Sequence, residues 1–227
     1  MRLLLLLLLL SGCATAPDTD TALLEAAIDA AGGDTSLARA RTLHWTGEAT
    51  VFAGERRIEL GVDTMVTPFL RARSTTWLRD QPETTRRVLA IDGANGWTER
   101  DGRREEMPDA MREHERLQYA VYGLMQLAPL RAPGVRLQRL PDRDGLRVLH
   151  VEHPSALPAD LFFDARNRLV AIENSVPDPE RGTPVAQRFS FEGDIVSAGA
   201  HWPRTLRISQ DGRPYFELRL RTLEALP

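Results

Sequence analysis

The chain has 227 residues, 42% hydrophobic and 27% charged, which is the range of one globular domain able to bury roughly 70% of its unfolded surface without a metal or a disulfide. All 29 cationic side chains are arginine against 32 acidic ones, and a net charge of −3 lacks the basic excess of a nucleic-acid binder. One cysteine excludes an intrachain disulfide framework and a cysteine-based zinc cluster, and no apolar run reaches the ~20 residues of a membrane-spanning helix.

The chain opens with Met1-Arg2, an unbroken leucine block over residues 3–10, and Ser11-Gly12-Cys13. One positive residue, a short apolar run and small residues make a secretory leader over residues 1–12. Leu10-Ser11-Gly12-Cys13 resembles the bacterial lipobox, which implies cleavage before Cys13 and lipidation of its thiol. Two or more acyl chains hold a protein on a membrane, at about 0.8 kcal/mol per buried methylene. Ala14 after the cysteine resembles the sorting pattern of outer-membrane lipoproteins, so the expected location is the outer membrane, facing the periplasm. Residues 13–20 read as a tether with Pro17 and two aspartates, and residues 21–227 as one domain.

A helix is expected first. Asp20 or Thr21 caps it, Leu23, Leu24, Ala27, Ile28 and Ala31 form its apolar stripe, and Gly32-Gly33 ends it. A second short turn runs to Ala40. The period then changes to two. Leu43, Trp45, Gly47, Ala49 and Val51 alternate with polar neighbours, as do Ile58, Leu60, Val62, Thr64 and Val66, so a hairpin is predicted around Gly54. Residues 69–79 and 84–91 continue less cleanly. Turn signals at Asp92-Gly93, Asn95-Gly96 and Asp101-Gly102 follow. A helix is predicted from Pro108 to Leu127, with Met111, Leu117, Val121, Leu124 and Met125 on its apolar side. Strands are expected again over residues 135–140, 146–152, 159–164, 169–174, 185–191, 205–210 and 215–223. The fold class is mainly β (α+β): one antiparallel sheet of about eleven strands, curled into an incomplete barrel and covered by two or three helices.

Several motifs, in order, resemble the LolA/LolB-like periplasmic superfamily of outer-membrane lipoprotein-sorting proteins. They are Ala30-Ala31-Gly32-Gly33 before Leu43-His44-Trp45-Thr46-Gly47, then Asp92-Gly93-Ala94-Asn95-Gly96-Trp97. Ala159-Asp160-Leu161-Phe162-Phe163-Asp164 with Arg168-Leu169-Val170 follows, and Trp202-Pro203-Arg204-Thr205-Leu206 comes last. The resemblance implies a half-barrel over helices with an apolar cavity that holds acyl chains of lipids or lipoproteins. It departs from the soluble carrier in having a lipobox.

The expected cavity wall is Trp45, Val51, Ile58, Leu60, Val62, Met65, Phe69, Trp77, Leu89, Phe163 and Phe189, because acyl binding needs only apolar area withdrawn from water. The helix bearing Met111, Leu117, Val121, Leu124 and Met125 is the candidate lid. Arg71 and Arg73 are read as sharing a strand face with Phe69 and Trp77. His150-Val151-Glu152-His153 lacks the spacing of a helical zinc signature, so no metal or cofactor is expected. No nucleophile elbow, phosphate loop or dinucleotide fingerprint occurs, so no enzyme is expected. The partners expected are a lipid or lipoprotein acyl chain, a membrane through Cys13, and an envelope protein in the alternative reading, where the fold serves as a scaffold without a lipid.

Overall fold

The structure is a computed structural model and describes residues 19–178 and 182–227. The leader, Cys13 and the tether up to residue 18 lie outside the described residues. Three α-helices and fifteen strands follow one another: α1 Thr19–Ala30, α2 Gly33–Ala38, β1 Thr42–Ala53, β2 Arg56–Thr67, β3 Arg71–Leu78, β4 Arg87–Asp92, β5 Asn95–Arg100, β6 Arg103–Glu106, α3 Asp109–Met125, β7 Arg136–Arg143, β8 Leu146–Glu152, β9 Ala159–Phe163, β10 Leu169–Pro177, β11 Pro184–Glu192, β12 Ile195–Ser197, β13 Ala200–Trp202, β14 Thr205–Gln210 and β15 Arg213–Leu226.

Thirteen strands form one antiparallel sheet in the order β6-β5-β4-β3-β2-β1-β15-β14-β11-β10-β9-β8-β7, and β12 pairs with β13 as a separate hairpin. The chain steps outward from β1 to the edge at β6, crosses to the other edge at β7, and steps back until β15 lies beside β1. Strand β1 is therefore central, paired with β2 from Leu43↔Val66 and with β15 from Thr42↔Leu226. The sheet stays open, since β6 and β7 are its two edges, and it curls only weakly. Strand β6 is exposed throughout and reads Arg-Arg-Glu-Glu, a charge pattern that discourages edge-to-edge pairing.

The strand count exceeds the expected eleven by four. Strands β5 and β6 lie in a segment crowded by the turn signals Asp92-Gly93, Asn95-Gly96 and Asp101-Gly102, yet the turns are only Gly93-Ala94 and Asp101-Gly102, and Asn95-Gly96 opens β5. Strands β12 and β13 are three residues each, too short for alternation to show. The first helix ends where expected: Gly32 has φ 115 and Gly33 φ 76, conformations with no steric cost for glycine. Helix α3 starts one residue later than predicted, because Pro108 is its N-cap with ψ 146 and not its first helical residue.

Helices α1 and α3 cover the sheet's inner face. Leu24, Ile28, Leu43, Trp45, Leu124, Leu149, Leu161, Phe163 and Ile172 are the most deeply buried side chains there. Helix α3 continues the chain from edge strand β6, and the 3-10 turn Ala128–Arg131 carries it on to β7. Two contacts fix the far end of α3. Gln126 Nε2 donates to the carbonyl of Ala40 at 2.6 Å, and Arg131 joins Glu25 of α1 and Asp34 of α2.

Candidate functional site

Between α3 and the half of the sheet made by β1–β5 lies a cavity of about 530 Å³. Ligand sites span ~300–1,000 Å³, so this volume suits a small amphiphile. The wall follows strand register. One cross-strand row runs Trp45↔Thr64↔Ser74↔Leu89↔Thr98↔Glu105, and the next runs Val62↔Thr76↔Arg87↔Arg100↔Arg103. Residues directly opposite on antiparallel strands share a face, so both rows point inward. They start deep, at Trp45 and Val62, and end in water at β6.

Helix α3 closes the cavity with Met111, Tyr119 and Tyr122, spaced to lie along one side of a helix with Glu115 between them. Trp45 packs on Tyr122 with ring centroids 5.0 Å apart, and Tyr122 on Trp202 at 6.5 Å. From β15, Phe216 and Leu218 complete the floor.

One polar chain crosses this apolar wall. Thr64 Oγ1 and Ser74 Oγ are 2.7 Å apart, and the Tyr119 hydroxyl bonds to Ser74. Burial first, then Glu115 and Tyr122, pushes the Tyr119 phenol far above its usual range, so it stays a neutral hydroxyl; burial does the same to Tyr122. Burial also raises the Glu115 carboxyl, against a smaller opposing pull from His114.

Of the residues expected in a cavity wall, Trp45, Leu60, Val62 and Leu89 line this one, and Met111 lines it from α3. The others are placed differently. Met65 is 43% exposed, opposite Arg73 on the outer face, because it has the wrong parity on β2; this corrects its assignment to the wall. Trp77 is also on the outer face, lying across Gly61 with the Arg86 guanidinium 4.9 Å from its ring. A Cβ on Gly61 would come within 2.3 Å of that indole, so the glycine makes room for it. Val51 and Ile58 are half-buried towards the far end of the β1–β2 hairpin. Phe163 and Phe189 fill the packed core of the other half.

Phe69 leaves the strand altogether. It sits in the β2–β3 turn at φ 63, stacks on His153 at 4.1 Å, and presses its ring onto Gly123 of α3. Arg71, Arg73 and Trp77 do share the outer face of β3, and the expected common face is corrected only for Phe69. Within the candidate lid, Leu117, Val121 and Leu124 are buried against other elements, and Met125 lines a second cavity of about 440 Å³ beside α1, Leu127, Phe191 and Trp202. His150 Nδ1 bonds Asp160 at 2.7 Å, and Arg143 also bonds Asp160. Sequence reasoning missed Tyr119 and Tyr122. Their spacing of eight and eleven from Met111 was the available signal.

Neither a protein-family model nor a curated protein sequence matches the chain. Solved structures do match it. A LolA superfamily protein from Nitrosomonas europaea aligns over 92% of this chain and 94% of its own, with 11% identity and a TM-score of 0.58. The chain has the LolA-type fold. A domain titled as an outer-membrane lipoprotein-sorting protein, from Vibrio parahaemolyticus, aligns over 88% of this chain and 90% of its own at 15% identity and TM-score 0.55. A DUF1329 family protein from Desulfovibrio piger aligns over 92% and 93% at 10% identity and TM-score 0.55. In this LolA-type sheet the turn motifs take their places: Asp92 to Trp97 is the β4–β5 hairpin, Gly32-Gly33 ends α1, and Trp202-Pro203 leads into β14.

Proposed function

We propose that this protein is a lipid-anchored envelope protein that takes an acyl chain into the cavity beneath α3, as a carrier or acceptor of a lipid or lipoprotein and without covalent chemistry. The cavity itself carries the reading. It is walled by Trp45, Leu60, Val62, Leu89, Tyr122 and Leu218, is about 530 Å³ in volume, and opens at the edge of the sheet. Each methylene moved from water into such a wall contributes about 0.8 kcal/mol, so an acyl chain needs no specific partner to be held. The LolA-type fold supports the same reading, and Leu10-Ser11-Gly12-Cys13 followed by Ala14 supports an anchor in the outer membrane with the domain facing the periplasm.

The test is native mass spectrometry with solvent extraction on residues 14–227 produced in the periplasm. That form lacks Cys13, so any lipid is bound and not attached. The expected result is a stoichiometric acyl species, lost in Leu60→Asp while the circular dichroism spectrum is kept. A clean unliganded mass, with no uptake of a fluorescent fatty acid, would instead make the fold a scaffold for an envelope protein.

A further inference from the structure

Three arginines on the strands of the second half face an acid directly: Arg188 opposes Glu173, Arg207 opposes Glu217, and Arg136 opposes Glu152. All three pairs are closed ion pairs. On β4, β5 and β6 Arg104 faces Glu99, but in the inward-facing row arginine faces arginine. Arg87 is directly opposite Arg100, and Arg100 directly opposite Arg103. Like charges so placed cost free energy. No carboxylate lies within ion-pair distance of Arg87 or Arg103 among the described residues, and Arg100 reaches only Asp101, at 3.6 Å.

This row is the outer end of the cavity wall. Its inner members are Val62 and Thr76, which line the cavity with Arg87 and Arg100. From β2 to β6 the row changes from apolar to hydroxyl to cationic, which is the polarity profile of an amphiphile lying along it. The acids on the same side are few. Glu105 ends the neighbouring row, and Glu115 on α3 is disfavoured as a charge by its burial. Three guanidiniums against Glu105 and Asp101 leave the mouth with an excess positive charge. Guanidinium is also the side chain best shaped to grip a carboxylate or phosphate through paired N–H donors.

We infer that the cavity takes an amphiphile with an anionic head, carboxylate or phosphate, whose head is held by Arg87, Arg100 and Arg103 while its chain lies between Leu89 and Tyr122. This rests on the acyl-binding reading and adds the class of ligand to it. The three arginines are exposed, and among the described residues only Arg100 has an acidic neighbour, Asp101 at 3.6 Å, so the head can be met without any opening of the fold.

The experiment uses the full chain in phosphatidylcholine vesicles doped with a photoreactive oleate, a photoreactive phosphatidic acid or a photoreactive monoacylglycerol, followed by peptide mapping of the cross-links. The two anionic probes are expected to label the peptides of Leu89 and Tyr122 about tenfold more than the neutral one, the equivalent of one charge-assisted contact. In the triple variant Arg87→Gln, Arg100→Gln, Arg103→Gln the ratio of anionic to neutral labelling is expected to fall to about one, and the triple lysine variant keeps part of the preference. Which of oleate and phosphatidic acid labels more strongly separates a carboxylate from a phosphate head. Inorganic phosphate at millimolar concentration should not compete; if it abolishes the labelling, the row is a free-anion site and the proposal falls. Equal labelling by anionic and neutral probes in the unaltered chain also overturns it, yet leaves acyl binding in place. No cavity labelling by any probe overturns both.

Discussion

The two halves of this sheet solve the same packing problem differently. Strands β7–β11 and β14 bury Leu149, Leu161, Phe163, Ile172 and Phe189 to 3% exposure or less, and most of their arginines are paired with acids. Strands β2–β5 meet α3 across a void of about 530 Å³ and end in a row of arginines that face each other. The difference lies in the side chains that face inward. Large aliphatic and aromatic residues fill the half built from β7–β11 and β14, whereas the inward positions of the other half include the small side chains Thr64, Ser74, Thr76 and Thr98, which leave space below α3. One half holds the fold, and the other gives up packing to leave room for a ligand.

Deletion of core volume should separate the halves most. Phe163→Ala is expected to lower unfolding stability by about 3–5 kcal/mol, read as a fall in the urea midpoint. Leu89→Ala, on the cavity wall, is expected to cost under about 1 kcal/mol because no packed partner is lost. Similar losses at both sites would mean that the first half is packed as tightly as the second.

The seam between the halves comes next. A Cβ on Gly123 would lie 2.2 Å from the Phe69 ring, so Gly123→Ala should cost about 1–3 kcal/mol by overpacking. Phe69→Leu should recover part of that in a double-mutant cycle. Full additivity would show that the turn does not bear on α3.

Glu115 gives a pH signature. Its carboxyl is raised by burial, so the folded state binds its proton more tightly than the unfolded state does. Its contribution therefore falls as pH rises above the unfolded value near 4.5 and levels off once pH passes the raised folded value. Glu115→Gln should raise the melting temperature at pH 7, with the gain vanishing below about pH 4.5. A variant that melts lower at pH 7 would mean that the charged carboxylate is held by a partner.

The smallest effects test the charge contrast. Arg188→Gln should cost at most about 1 kcal/mol, since it opens a partly exposed pair with Glu173. Arg100→Gln should be neutral or slightly stabilising, because it relieves two like-charge oppositions. The two shifts in melting temperature should have opposite signs at low salt and converge at high salt.

Much of this fold was legible in the residues. Period-two alternation located β1, β2 and every strand of the main sheet from β7 onward, and Gly32-Gly33 marked the end of α1. Strand β4 was legible, but β5 and β6 were not, because turn-forming residues crowd residues 92–102. The site was legible only in part. Alternation on β1 and β2 pointed Trp45, Leu60 and Val62 inward, and the same parity places Met65 outside. Nothing local distinguishes Leu89 on a cavity wall from Phe163 in a filled core, since both are apolar residues on strands.

What the sequence determined by itself was the set of local choices: which residues alternate, where glycine permits a turn, and which stripe of α3 is apolar. These depend on backbone sterics and on periods of 2 and 3.6, which operate over a few residues. The pairing of β1 with β15 and the void under α3 were decided by tertiary structure alone. Each depends on the register of strands distant in sequence or on volume left unfilled between elements, and neither quantity exists until the chain has folded.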